Sequence, residues 1–143
     1  MHSEILRPMV VLIAWTLVML VWMLVTRLPA MKAAGVDMGK LVGTKASDAD
    51  RSLPPQAQWK AHNYNHLMEQ PTLFYAVCAV LALSGTGNGN GVNAWIAWAY
   101  VGLRIVHSLV QATSNRVRIR FLVFMLSSVM LAALTLHAAL AVF

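Results

Sequence analysis

The sequence predicts an all-α integral membrane protein, a bundle of four transmembrane helices forming a single domain over residues 1–143. Three observations carry that reading. Of the 143 residues, 59% are hydrophobic and only 11% charged, with a mean hydropathy of +0.63, whereas a soluble domain carries about 25% charged residues. The charge also falls in blocks, with none between Arg7 and Arg27, none between Glu69 and Arg104, and none after Arg120. Each gap is membrane-sized, because a helix rising 1.5 Å per residue needs about 20 apolar residues to cross a hydrocarbon core of about 30 Å. This composition argues against a soluble enzyme domain. Cys78, the single cysteine, lies in an apolar run and permits no intrachain disulfide.

Span one covers residues 8–28, with Pro8 suited to a first turn and Pro29 to a stop. Its uncharged stretch, Met9 to Thr26, exceeds the roughly 7–15 residues of a signal-peptide apolar region, so it reads as a retained helix. Residues 29–62 form the one sizeable extramembrane loop, with Gly35, Gly39, Gly43 and the Ser52-Leu-Pro54-Pro55 turn as loop signals and room for a short helix around residues 37–42. Span two covers 64–83 and ends at the glycine-rich stretch 84–91; span three covers 92–111 and span four 121–143. Arg27, Lys32, Lys40, Lys45, Arg51, Lys60, Arg116, Arg118 and Arg120 fall on one side, against Arg7 alone on the other. That asymmetry predicts a cytoplasmic 29–62 loop and both termini outside. In a membrane chain, 11 Lys and Arg against 5 Asp and Glu is a topology signal. The expected partner is therefore the lipid bilayer and not nucleic acid.

Polar residues inside the spans are the functional candidates, because a charge there costs at least about 2.5–3.5 kcal/mol and turns toward the bundle interior. His62, Asn65, His66 and Glu69 follow the three-and-four spacing of one helix face, with Asn63 beside them and Pro71 expected to kink the helix. Arg104, His107, Ser108, Gln111 and Asn115 make a similar face on span three. Glu69, the one acid in any span, enters to roughly 8 Å and Arg104 to roughly 11 Å from the same side, so the two are expected to pair. A single acid cannot neutralise Arg104 together with Arg27, Arg116, Arg118 and Arg120. The pocket is therefore expected to take an anion, and a thiol held among arginines would lose its proton more readily. His62, His66 and His107 have no thiolate or second carboxylate beside them, so no metal is expected. His137 reads as an interfacial or packing residue.

Two stretches carry a resemblance to a known family. Lys60-Ala-His62-Asn63-Tyr-Asn65-His-Leu-Met-Glu69-Gln-Pro71 is similar to the second-helix motif of the MAPEG family, the membrane-associated proteins in eicosanoid and glutathione metabolism: an Arg followed by Asn, Glu and Pro. Tyr100-Val-Gly-Leu-Arg104-Ile-Val-His107-Ser-Leu-Val-Gln111, with Asn115-Arg116-Val-Arg118-Ile-Arg120 after it, resembles the third-helix and fourth-helix segment of that family. In span count and loop sizes the resemblance covers essentially the whole chain, as a divergent, bacterial-type member that would reside in the cell inner membrane.

The resemblance implies a homotrimer with glutathione, as co-substrate, lying between neighbouring subunits and open to the cytoplasmic side. It implies a transferase or peroxidase acting on small lipophilic electrophiles or hydroperoxides that enter from the lipid. Carried over by residue, Asn63 or Asn65 and Glu69 would hold the glutathione backbone, while Arg104 and His107 line the site. Arg27, Lys60, His62, Gln111 and Arg116 would surround it. Arg118 or Arg120, opening the fourth helix, would stabilise the thiolate, and Arg120 has the spacing of one branch, thirteen residues after the histidine. The chain departs from the pattern at Gln111, where many members have Tyr, and at Lys60, which cannot make the planar bidentate contact of an arginine. These departures motivate an alternative, a non-catalytic binder of lipid or fatty acid. A third reading, a proton-coupled carrier relaying through Glu69 and His107, lacks the inverted repeats such carriers use.

Overall fold

The computed structural model describes residues 3–85 and 87–143, leaving aside the side chain of Ala46. These residues form α1 (Leu6–Ala33), a 3-10 turn (Met38–Lys40), α2 (Ala46–Ser52), α3 (Pro55–Leu67), α4 (Gln70–Leu83), α5 (Val92–Thr113) and α6 (Val117–Val142). α5 packs against α6, α1 and α3, and α4 packs against α6 and α1.

Among the described residues, three stretches are long and apolar enough to cross a membrane: α1, the α3–α4 run Pro55–Leu83, and α6. Most of their surface faces outward, with Leu17, Val18, Val21, Val25, Leu136 and Leu140 all exposed. An apolar belt of this extent is unsuited to water and suited to lipid. α5, where the sequence predicts the remaining span, has the length but not the hydropathy. Its polar residues Arg104, His107, Ser108 and Gln111 share one face, and that face is buried in the bundle.

Two element boundaries differ from the sequence reading. Span one does not stop at Pro29: α1 continues through it to Ala33. The stop comes at Gly35, whose φ of +70° supports bonds from Val36 N–H to Met31 C=O and from Gly35 N–H to Lys32 C=O, the pairing that closes a helix at a left-handed residue. Span two does not begin at residue 64. Its helix starts at Pro55 and breaks at Met68 and Glu69, one turn before the expected kink. Pro71 then sits in the first turn of α4, where a missing N–H costs nothing. The short helix expected near residues 37–42 is the 3-10 turn, and the loop also holds α2.

Between helices in lipid, packing and interhelical hydrogen bonds matter more than removal of surface from water. The Phe74 and Tyr100 rings stack at 4.3 Å between centroids, both fully buried; such a pair is worth about 0.5–1.5 kcal/mol beyond its area. Ser108 of α5 donates to Asn63 Oδ1 of α3 at 3.0 Å, and Gln70 of α4 donates to Ser128 of α6 at 2.9 Å. His137, read from sequence as interfacial or packing, joins α6 to Asn93 of α5. At the same end of the bundle the chain start is stitched to the α4–α5 loop: Ile5 N–H reaches Gly89 C=O at 2.9 Å, and Glu4 N–H reaches Asn90 Oδ1 at 2.8 Å. Gly89 must be glycine, because a Cβ there would run into Ser3 and lie 3.2 Å from the Ala82 Cα.

Candidate functional site

The site is built where three helix ends meet. α3 ends at Leu67, and the break at Met68 and Glu69 turns the Glu69 side chain outward, leaving it 68% exposed. From there Glu69 Oε2 holds His66 Nδ1 at 2.9 Å. The His66 ring lies 4.9 Å from the His107 ring and 5.5 Å from Phe124. From α6, Arg120 arrives by way of the α5–α6 turn. Asn115 adopts a φ of +47° there, a left-handed conformation that Asn tolerates, and its Oδ1 accepts a hydrogen bond from Arg120 Nη1. Together His66, His107, Val117, Arg120, Phe121 and Phe124 line an open-mouthed cavity of about 210 Å3.

Arg104 lies behind this cavity and is 1% exposed. Its Nε donates to Tyr100 Oη at 3.1 Å, Tyr100 donates on to Gln70 Oε1, and the guanidinium stands 5.6 Å from the Tyr100 ring and 5.3 Å from the Phe124 ring. Nη1 and Nη2 are buried with no partner among the described residues. The expected Glu69–Arg104 pair is therefore not made within the chain. The helix break reorients Glu69 toward His66, and the aromatic faces take its place at Arg104, since a ring face attracts a cation.

The remaining sequence candidates lie in several places. Asn63 is fully buried and Gln111 nearly so, both on the α3–α5 side, with Asn63 Nδ2 and Gln111 Oε1 lacking partners among the described residues. Asn65, Arg116 and Arg118 are exposed. Lys60 donates to Gln56 C=O and stands over Trp22. His62 Nε2 meets Asp50 Oδ1 at 2.7 Å, and Arg27 borders a separate cavity of about 320 Å3 with Lys45, Asp48 and Leu53. The His62 hydrogen bond, opposed by some desolvation and helped by Gln58, holds the Asp50 carboxyl below its ordinary value. His66, one of the polar face residues expected from the sequence, lines the cavity, whereas Phe124, Tyr100, Gln70 and Ser128, which the sequence does not single out as site residues, complete the surroundings of cavity and guanidinium. Tyr100 stands one turn before Arg104 on the same helix face, a readable signal; Gln70 and Ser128 meet only through the fold. Among the described residues no group of three or more His, Cys, Asp or Glu gathers to hold a metal.

The family model described as the MAPEG family matches residues 5–140. No curated protein and no solved structure matches the chain.

Proposed function

The chain belongs to the MAPEG family, and from that premise we propose that it is a membrane-embedded, glutathione-dependent transferase or peroxidase acting on lipophilic electrophiles or hydroperoxides. Membership supports a glutathione- or eicosanoid-related function at the membrane in general, and the apolar helices fit an integral membrane protein. In the full reading α5 is also a span, the third of four, both termini lie outside, the 29–62 loop is cytoplasmic, and three copies assemble.

The observation that carries the proposal is the cavity that sets Arg120 beside two histidines and an aromatic wall, with the unpartnered Nη atoms of Arg104 behind Phe124. A guanidinium close to a thiol favours the thiolate, which is the nucleophile, without any metal. At about 210 Å3 the cavity is smaller than the roughly 300–1,000 Å3 of a typical ligand site. It accommodates the thiol end of the tripeptide, and a neighbouring copy supplies the rest of the cleft. In this reading the lipophilic substrate approaches from the lipid past Phe121, which is exposed.

The test is direct. Purified trimers are expected to show saturable glutathione binding with ultraviolet thiolate absorbance, and Arg120→Ala is expected to lose the absorbance. Folded trimers showing neither refute the proposal. The apolar share of the cavity wall, Val117, Phe121 and Phe124, favours one second reading, a non-catalytic binder of fatty-acid-like ligands whose carboxylate meets Arg120. Mass spectrometry finding acyl ligand in the purified protein, with no thiol turnover, would select it.

A further inference from the structure

Two histidines, His66 and His107, line the cavity, and electrostatic activation of a thiol gives neither of them a role. His66 lines the cavity wall and carries the one hydrogen bond that Glu69 side-chain oxygens make among the described residues. A carboxylate only accepts, so the neutral ring must carry its proton on Nδ1 to bond Glu69 Oε2, which leaves Nε2 with its lone pair free. We propose that His66 is the base that takes the thiol proton of the bound co-substrate and returns it to the product, with Glu69 as its positioning residue. This inference rests on the proposed thiol chemistry and adds the destination of the proton.

Charge explains why the carboxylate is needed. The groups facing His66 from the packed elements are His107 and, behind Phe124, Arg104 on α5, and Arg120 on α6. None offers a negative charge. An imidazolium formed at His66 alone would add to a positive cluster, and Glu69 on the adjoining turn offsets it. Transfer from sulfur to Nε2 leaves the site's total charge unchanged, creating a thiolate and an imidazolium side by side, each with an opposite charge at hand.

The reaction balances for an activated alkene as the lipophilic electrophile. The S–H bond breaks, the proton goes to His66 Nε2, and the sulfur lone pair forms an S–C bond at the β carbon. The displaced π pair moves to the α carbon, which takes the proton back from His66. Thiol and alkene are consumed, one thioether is made, and the imidazole is again neutral.

The experiment counts protons against thiolates. Full-length protein in lipid nanodiscs is mixed with glutathione at pH 7 in weakly buffered indicator, while thiolate is read by its ultraviolet absorbance. If His66 keeps the proton, wild type releases well under one proton per thiolate formed; His66→Gln, with Arg120 intact, releases about one. Glu69→Gln moves wild type toward release and lowers the rate of adduct formation with its alkaline dependence altered, an effect that a merely structural role would not produce. Should His66→Gln fail to fold, Glu69→Gln, on an exposed side chain, gives the same readout. Wild type releasing one proton per thiolate overturns the His66 assignment and leaves the thiolate chemistry standing. A folded His66→Gln variant that retains the proton overturns it too. Absence of thiolate in wild type refutes the proposed function itself, and the base assignment with it.

Discussion

Replacing Arg120 by Gln removes the one guanidinium on the cavity wall while keeping a side chain able to bond Asn115. A sphere of the cavity's volume has a radius of about 3.7 Å, so a sulfur lodged there lies about 4 Å from a wall charge, worth about 4 kcal/mol at an effective dielectric of about 20. The mouth is open to solvent, and doubling the dielectric halves that to about 2 kcal/mol. At 1.36 kcal/mol per pKa unit, the variant is expected to raise the pKa of the bound thiol by about 1.5, cutting the thiolate-to-thiol ratio at a given pH by about 30-fold. The assay is a pH titration of thiolate absorbance on wild type, Arg120→Gln, Arg120→Lys and Arg118→Gln in the presence of saturating glutathione. Arg120→Lys keeps the charge and should recover most of the effect. Arg118 is exposed and its loss should shift the midpoint by no more than a few tenths, because solvent screens it. An Arg120→Gln midpoint equal to wild type, with glutathione still bound, would refute the electrostatic argument.

Three further outcomes are expected. Ser108→Ala strips the fully buried Asn63 of its one side-chain partner among the described residues, costing about 2 kcal/mol and lowering Tm by about 4–8 °C; the Asn63→Leu/Ser108→Ala pair should recover at least half, and a strictly additive loss would sink that account. Asp50 is held below its ordinary carboxylate value, so its contribution is complete above about pH 4 and is lost as pH falls through the lowered folded value; amide exchange in α2 should quicken there, and Asp50→Asn should show the quick pattern already at neutral pH. Cys78 is fully buried, so a membrane-permeant maleimide should label it only as fast as the protein unfolds, and prompt labelling would contradict the packing of α4.

The helices were legible because lipid tolerates only long uncharged runs, and the inward face of α5 because Arg104, His107, Ser108 and Gln111 repeat at helical spacing. The pairing of Glu69 was not legible. Each residue turns a helix by about 100°, and the break at Met68 and Glu69 resets that phase, so the face counted from His62 through Glu69 does not survive. The same rotation separates Arg118 from Arg120 by about 200°. With apolar residues all round the start of α6, the sequence does not say which arginine turns inward; packing against α5 and the Asn115 turn decide it. Asn63 and Asn65 were equivalent in the motif, yet one is buried against Ser108 and the other faces out. The stop of α1 is not legible because Pro29 is a conspicuous breaker, while an α-helix in apolar surroundings carries through a proline when a glycine just beyond provides the real terminus.

The backbone stitching of the chain start to Gly89 makes the molecule mechanically lopsided. Main-chain bonds fasten the start of α1 to the α4–α5 loop at that pole, whereas at the opposite pole α3 parts from α4 and a three-residue turn joins α5 to α6. Amide exchange is therefore expected to be slower around Gly89 than around Met68 and Glu69, where the helix is interrupted.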